Sequence, residues 1–452
     1  MTNQKELSSQ ELTKHLSGML QYPTISYPEP ENIDHQAFSE LHNYLERTFP
    51  SVFANLEKEI INTHSLLLTW RGTHKDLDPI LLMGHIDVVP IEPGTETKWN
   101  YPPFSGKIED GFIWGRGALD DKQSVAGILE AIESLLLIKY QPRRTILIAI
   151  GHDEELGGVN GQAQIARILK ERGVHLELVL DEGLAVTVGI LPIDKPIALI
   201  GAAEKGYVSL ELIVEIEGGH SSMPGENTSI GILSKAILSL MNHPFPPHLG
   251  NITSELFRRI APEMPTINRF IFKNQKIFRS LILNQLAKNP STNANIRTTI
   301  APTIFQAGTK DNVLPSKARA IINFRLIPGD TKESVLKYVR RIIVDERVEL
   351  QIKDEFAMNP SPVSDIDSRS FKLLEESIHS TFPGVLVVPG LVLGATDCRH
   401  YTQLSNNCYR FSPIRVTKED MSRIHGTNER ISVENYTQVV SFYRRVLHEG
   451  SS

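Results

Sequence analysis

Three consecutive acids, Asp153, Glu154 and Glu155, close a run of apolar residues and are followed by the pair Gly157-Gly158. The run, residues 145–151, suits a parallel strand buried on both faces. In open α/β sheets, catalytic groups collect just past the carboxyl ends of such strands. Adjacent carboxylates repel, and need a cation or a proton to be tolerated. The pattern recurs. Residues 79–84 are apolar and deliver His85 and Asp87. Residues 175–180 deliver Asp181 and Glu182. Asp120 and Asp121 precede an apolar helix, and His425 lies in a Gly-containing loop. Two histidines and three carboxylates suit a borderline divalent ion such as zinc. Five donors exceed what one catalytic zinc uses, but fit two ions sharing one carboxylate. A water acidified there still needs a base, and Glu154, beside a ligand, fits that role. Residue type alone leaves open which member of Asp120/Asp121, Glu154/Glu155 and Asp181/Glu182 faces the ions.

The elements that must position these groups read as an α/β fold. Helices are predicted over residues 11–20, 33–49, 123–139 and 161–172, with strands over 66–71 and 79–84. From 207 the pattern changes to half-exposed alternation. Strands at 207–215, 299–306, 318–326 and 348–353 and helices at 228–241 and 332–345 give the order βαββαβ, that of ferredoxin-like domains. The expected organisation is therefore residues 1–203 and 356–452 forming one catalytic domain, interrupted by an inserted lid domain, 204–355. The catalytic domain has a mainly parallel central sheet flanked by helices. A segment from 243 to 295, rich in Phe, Ile and Leu, exceeds what the insert needs. It either packs extra helices or forms an apolar groove for an acyl chain. The first domain resumes with a helix at 371–382, a strand at 385–388, a loop from Gly394 and a last helix at 433–447.

The chain has 452 residues, 40% hydrophobic and 22% charged, with net charge −6. These values suit a globular protein and argue against a nucleic-acid partner. No apolar run reaches the ~20 residues that span a bilayer, so no membrane partner is expected. The N-terminal residues 1–7 are polar, unlike a secretory leader. Cys398 and Cys408 cannot build a disulfide framework and suit a reducing compartment, so a cytoplasmic location is expected. Cys398 beside Asp397 lacks an evident activating base, which argues against a nucleophile. Gly115-Arg116-Gly117 lacks the ending of a phosphate loop.

Five motifs in order carry a family resemblance. They are Gly84-His85-Ile86-Asp87, Gly115 to Lys122, His152 to Glu155, Gly219-His220-Ser221-Ser222-Met223-Pro224 and Arg423 to Gly426. Together they resemble the di-zinc metallopeptidases and amidases that include carboxypeptidase S, aminoacylase and bacterial glutamate carboxypeptidase. Residues 99–106 and 228–233 are similar to carboxypeptidase S and the N-fatty-acyl-amino-acid synthase/hydrolase in particular.

The resemblance implies two zinc ions per subunit, bridged by Asp120. His85 and Asp181 would hold one and Glu155 and His425 the other. Glu154 would be general base and then acid, and Asp87 would orient His85. It also implies a cis peptide between Asp120 and Asp121. The lid would pair two subunits as a homodimer, with His220 reaching the neighbour's site. Asn312 and Arg325 would hold the substrate's carboxylate, and the Gly394 loop would line the site. The expected activity is hydrolysis of an amide beside a free α-carboxylate, in a short peptide or other small molecule. The alternatives are an N-acyl (possibly fatty-acyl) amino-acid amidohydrolase and, from another class, a non-catalytic metal-dependent binding protein.

Overall fold

A computed structural model describes residues 8–190 and 193–452. The N-terminal residues 1–7, read above as polar, lie outside the described residues. The centre is an eight-stranded sheet. Its strands lie in the order Glu57–Ile61, Ser65–Trp70, Ile146–Gly151, Ile80–His85, Leu178–Thr187, Cys408–Val416, Ile197–Glu204 and Leu386–Val392. Ile80–His85 runs parallel to both its neighbours, so the ends of three strands point the same way. All six residues of Ile80–His85 and of Ile146–Gly151 are buried, as the continuous apolar runs require. Each large aliphatic side chain so buried contributes about 1.5–3 kcal/mol.

Helices cover both faces. Lys122–Leu137 packs against Val433–Gly450 on one face, joined by Ser9–Met19 and Arg369–Thr381. Gln162–Glu171 and the turn Asp397–Tyr401 cover the other. Ser8 starts the first helix: its side chain accepts from the Glu11 N–H, and Glu11 reaches back to the Ser8 N–H. Such caps contribute about 1 kcal/mol.

The βαββαβ order is present. Its sheet runs Thr299–Ala307, Lys317–Leu326, Gly206–Glu215, Val348–Met358, all antiparallel. Ser229–Asn242 and Lys332–Ile342 cover one face over a core including Leu210, Leu212 and Phe324. The 243–295 segment forms four helices, Asn251–Ile260, Thr266–Lys273, Arg279–Leu286 and Pro290–Ala294. The first lies against the edge of the central sheet, where Ile260 and the nearby Met264 meet Ile197 and Val388, and its Ile252 meets Ile327 of the lid. Of the residues considered for an acyl groove, Phe245 belongs to the lid core, Phe257 stacks on Phe272, and Ile282 and Leu283 fill a small core of their own. Packing accounts for most of that segment's apolar content.

Strand Leu178–Thr187 is longer than the predicted 175–180 and runs straight through Asp181 and Glu182. It lengthens because Cys408–Val416, a strand not foreseen, pairs alongside it in parallel.

A histidine cluster joins the helix His35–Thr48 to the sheet. His35 Nδ1 lies 2.7 Å from His64 Nε2, His42 Nε2 bonds the His64 carbonyl, and the His64 ring stacks on Phe38. Burial, then the nearby imidazoles of His152, His35 and His42, lowers His64 to about 4. The unfolded chain takes up this proton near pH 6.5, whereas the folded chain refuses it until about pH 4. The stability that this difference carries is therefore complete above about pH 6.5 and is lost as pH falls towards 4. Urea denaturation at pH 7 and pH 4.5 should show a loss of stability on acidification, and His64→Gln should show a smaller one. Equal losses would remove the cluster from the acid response.

Candidate metal centre

His85 ends its strand with its ring buried. Nδ1 lies 3.0 Å from the Asp87 carbonyl and 3.3 Å from Asp87 Oδ1. Its Nε2 lies 3.0 Å from Asp120 Oδ1. The other Asp120 oxygen, Oδ2, lies 3.0 Å from His425 Nε2, which is also 3.2 Å from Glu155 Oε1. One carboxylate thus stands between two imidazoles. His85, Asp120 and Glu155 offer ligand atoms that all lie within 4.8 Å of one another. The Glu155 Oε1 atom is buried and accepts no hydrogen bond. A buried carboxylate oxygen beside an imidazole and a second carboxylate is what a divalent ion stabilises, so these residues fit the expected metal. The peptide between Asp120 and Asp121 is cis, as the resemblance implied.

Two buried acids place the ligands. Asp87 Oδ1 accepts from the Glu154 N–H and Oδ2 from the Glu155 N–H, both at 3.2 Å. It therefore fixes the turn that carries Glu154 and Glu155 as well as His85. Glu429, absent from the sequence reading, accepts from the N–H groups of Gly117, Leu119 and Asp120 at 3.1, 2.7 and 3.2 Å. Its other oxygen pairs with Arg116 at 2.6 Å, and Arg116 donates to the His425 carbonyl at 3.0 Å. One buried ion pair thus couples the Asp120 loop to the His425 loop. A cue was present in the sequence: an acid four residues after His425 and an Arg four residues before Asp120.

The acids load one another electrostatically. Burial, reinforced by Asp397, Glu155 and Asp120, pushes the Glu154 carboxyl well above the usual range. Burial would also raise Asp120, but its bonds to His425 and His85 hold it below. Asp120 and then Glu155 raise His425 to about 10. The His425 side chain is 50% exposed against 2% for His85, so the cluster opens to solvent on the His425 side. Asp397, whose charge helps raise Glu154, is a further buried acid near this turn. A Cβ on Gly158, itself at φ +64°, would lie 1.8 Å from Asp397 Oδ1, so only glycine fits there.

Asp181, expected as a ligand, accepts at Oδ1 from the Glu182 N–H at 3.0 Å and at Oδ2 from the Cys398 N–H at 2.7 Å. Glu182 is the acid that shares the field of the cluster: burial, then Asp120, Glu154 and Asp181, drives its carboxyl well up.

His220 and Asn312 sit together, but not at the cluster. His220 is exposed on a short lid strand paired with Val313, and Ser221 donates to the Asn312 carbonyl. Both line an open cavity of about 710 Å³. The Arg325 guanidinium lies over the Tyr207 ring at 4.7 Å. Burial lowers its pKa, and nearby Arg399 lowers it further. Arg399 bonds the Gly157 carbonyl at 2.6 Å, which ties the Gly394 loop to the Glu154 turn. Gly394 is exposed, with open space around its Cα.

Fold and site together define a metal-binding hydrolase of the peptidase and amidase type, with a catalytic α/β unit and a lid. The chain belongs to Peptidase family M20/M25/M40, whose family model matches residues 81–449. It is 42% identical to probable carboxypeptidase S-like 2 of Dictyostelium discoideum, over 98% of this chain and 85% of that protein. It is also 42% identical to the N-fatty-acyl-amino acid synthase/hydrolase PM20D1 of Xenopus tropicalis, over 100% of this chain and 88% of that protein. The M20 family metallo-carboxypeptidase Sso-CP2 of Sulfolobus solfataricus shares the fold, with a TM-score of 0.71 at 20% identity over 97% of this chain and 98% of that one. The protein is an enzyme of this family that hydrolyses amide bonds.

The choice between the two acids of the strand pair is directly testable. Glu182→Gln should weaken metal retention by about 10-fold or more, and Asp181→Asn should change it less. Chelator competition followed by elemental analysis reads both. The reverse ranking would restore Asp181 as the ligand.

Proposed function

We propose that the protein is a two-zinc hydrolase of amides flanked by a free α-carboxylate. The observation that carries this reading is Asp120 set between His85 and His425, with Glu154 one residue from Glu155. His85 and Glu182 would hold one ion, Glu155 and His425 the other, and Asp120 would touch both. Held there, such ions would polarise the scissile carbonyl and acidify a water. Glu154 would accept a proton from water and return it to the departing amine. Asp87 keeps the His85 ring and the Glu154 turn in register through the contacts above. Arg325 and Arg399, two like charges near each other, form a receptor for the substrate's carboxylate, which Arg binds bidentately.

The lid supports a homodimer. Leu238 and Met241 on its helix and Ile304 and Phe305 on its edge strand are exposed. His220 and Asn312 lie on this domain rather than at the cluster of their own chain, so their expected roles would be played at a neighbour's site.

For substrate, a carboxypeptidase-type reaction leads. The second reading, N-acyl amino-acid hydrolysis, draws on the relatives named for N-fatty-acyl-amino acids. Activity on N-acyl glycines from acetyl to dodecanoyl, compared with dipeptides, separates the two. A peptidase gives a flat or falling acyl series and good dipeptide turnover. A rising series, each buried methylene contributing about 0.8 kcal/mol, establishes the amidohydrolase instead.

Glu154→Gln should retain metal and lose about 10²–10⁴ in kcat, measured with elemental analysis on the same preparation. A near-native rate would remove Glu154 from proton transfer.

A further inference from the structure

Helices Thr266–Lys273 and Arg279–Leu286 belong to the segment that the lid topology does not require. Their inner sides are accounted for: Ile282, Leu283 and Leu286 pack with Ile296, and Phe272 stacks on Phe257 at 4.5 Å. Their outer sides are not. Ile267 is 76% exposed, Phe270 61%, Ile277 77% and Leu281 53%. The Phe270 ring meets Phe278 edge-on at 5.7 Å, which joins the apolar sides of the two helices. Soluble surfaces ordinarily show such side chains singly, and a cluster marks an interaction face.

Charge tells which kind of partner fits. Residues 264–310 contain no acid but seven Lys or Arg, in a chain of net charge −6. Arg269, Lys273, Lys276 and Arg279 are all exposed, and none is paired with a carboxylate among the described residues. The acids just before this stretch are engaged already, Glu255 by Arg258 and Arg259 and Glu263 by Lys195. Lys273, Lys276 and Arg279 also line an open cavity of about 680 Å³, together with Phe272 and Ile277.

We propose that this face docks the protein onto an anionic lipid bilayer. Amphipathic helices with Phe, Ile or Leu on one side and Lys or Arg beside them settle at the boundary between headgroups and acyl chains. There Ile267, Phe270, Ile277 and Leu281 leave water, and the four cations meet lipid phosphates. A hydrophilic polyanion would satisfy the cations and leave the apolar side chains in water. A second copy of the same face would bring like charges together. A bilayer satisfies both sets at once. The neighbouring helix Asn251–Ile260 packs on the edge strand Leu386–Val392, which leads into the loop from Gly394. Docking therefore places that side of the catalytic unit next to the lipid, a position suited to amphiphilic molecules.

Co-sedimentation of the full chain with vesicles tests this. The protein should pellet with phosphatidylcholine vesicles containing 30% phosphatidylglycerol at about 0.1 M salt, and stay in solution with phosphatidylcholine alone. Raising salt to about 0.5 M should release most of it, because screening shortens the reach of the cations. Phe270→Ser with Ile277→Ser, and separately Lys273→Glu with Lys276→Glu, should each weaken binding about tenfold or more. Hydrolysis of a soluble substrate should be unchanged in both, which shows that they fold. No pelleting of the native chain with anionic vesicles, or equal pelleting of both variants, would overturn the proposal. So would retention on heparin without vesicle binding, or a shift from dimer to monomer in the variants with no lipid binding.

Discussion

Repulsion among carboxylates at one end of one sheet is the constraint that the rest of the structure serves. Asp120, Glu154 and Glu155 come from loops and Glu182 from within strand Leu178–Thr187, and Asp397 adds its charge to theirs. Such a group is tolerable only with cations in its midst. The histidines supply part of that balance, and Asp120 is held down by both of them. The scaffold supplies the rest through backbone N–H groups. Asp87 and Glu429 are themselves buried acids, yet each spends its oxygens on the N–H groups of ligand-bearing loops. Breaking the Glu429–Arg116 pair would leave a buried charge uncompensated, which typically costs about 3–5 kcal/mol. It would also loosen two ligand loops together.

Much of this was legible in the sequence because it follows from burial. Strands buried on both faces read as unbroken apolar runs, and the groups beyond their ends announced the site. The lid read clearly because its strands alternate and its helices are amphipathic. Strands Ile197–Glu204 and Cys408–Val416 escaped notice. The first is rich in Ala, and the second carries Arg410 and Ser412 inside the sheet. The sequence leaves the Asp181/Glu182 choice open because periodicity gives a strand's existence more readily than its end. Had the strand stopped at 180, both acids would lie in a loop and either could turn inward. Glu429 and Arg399 act through contacts between residues some 240 to 310 positions apart, which no local pattern records.

The 243–295 segment shows a different kind of limit. Its apolar content was visible, but composition cannot divide side chains between core and surface. The structure buries Ile282 and Leu283 and leaves Ile267 and Ile277 in water. The net charge of −6 likewise concealed a long stretch without acids. The absence of a membrane-spanning run, which the described helices share, speaks to crossing a bilayer and not to resting on one.

The central claim is that the acids and histidines gathered here hold two ions on either side of Asp120. Anomalous diffraction at the zinc edge, on crystals grown with zinc, tests it most directly. The account predicts two peaks about 3.5–4 Å apart flanking the Asp120 carboxylate, one contacted by His85 and Glu182 and the other by Glu155 and His425. A single peak, or an ion held by Asp181 with Glu182 turned away, would contradict it.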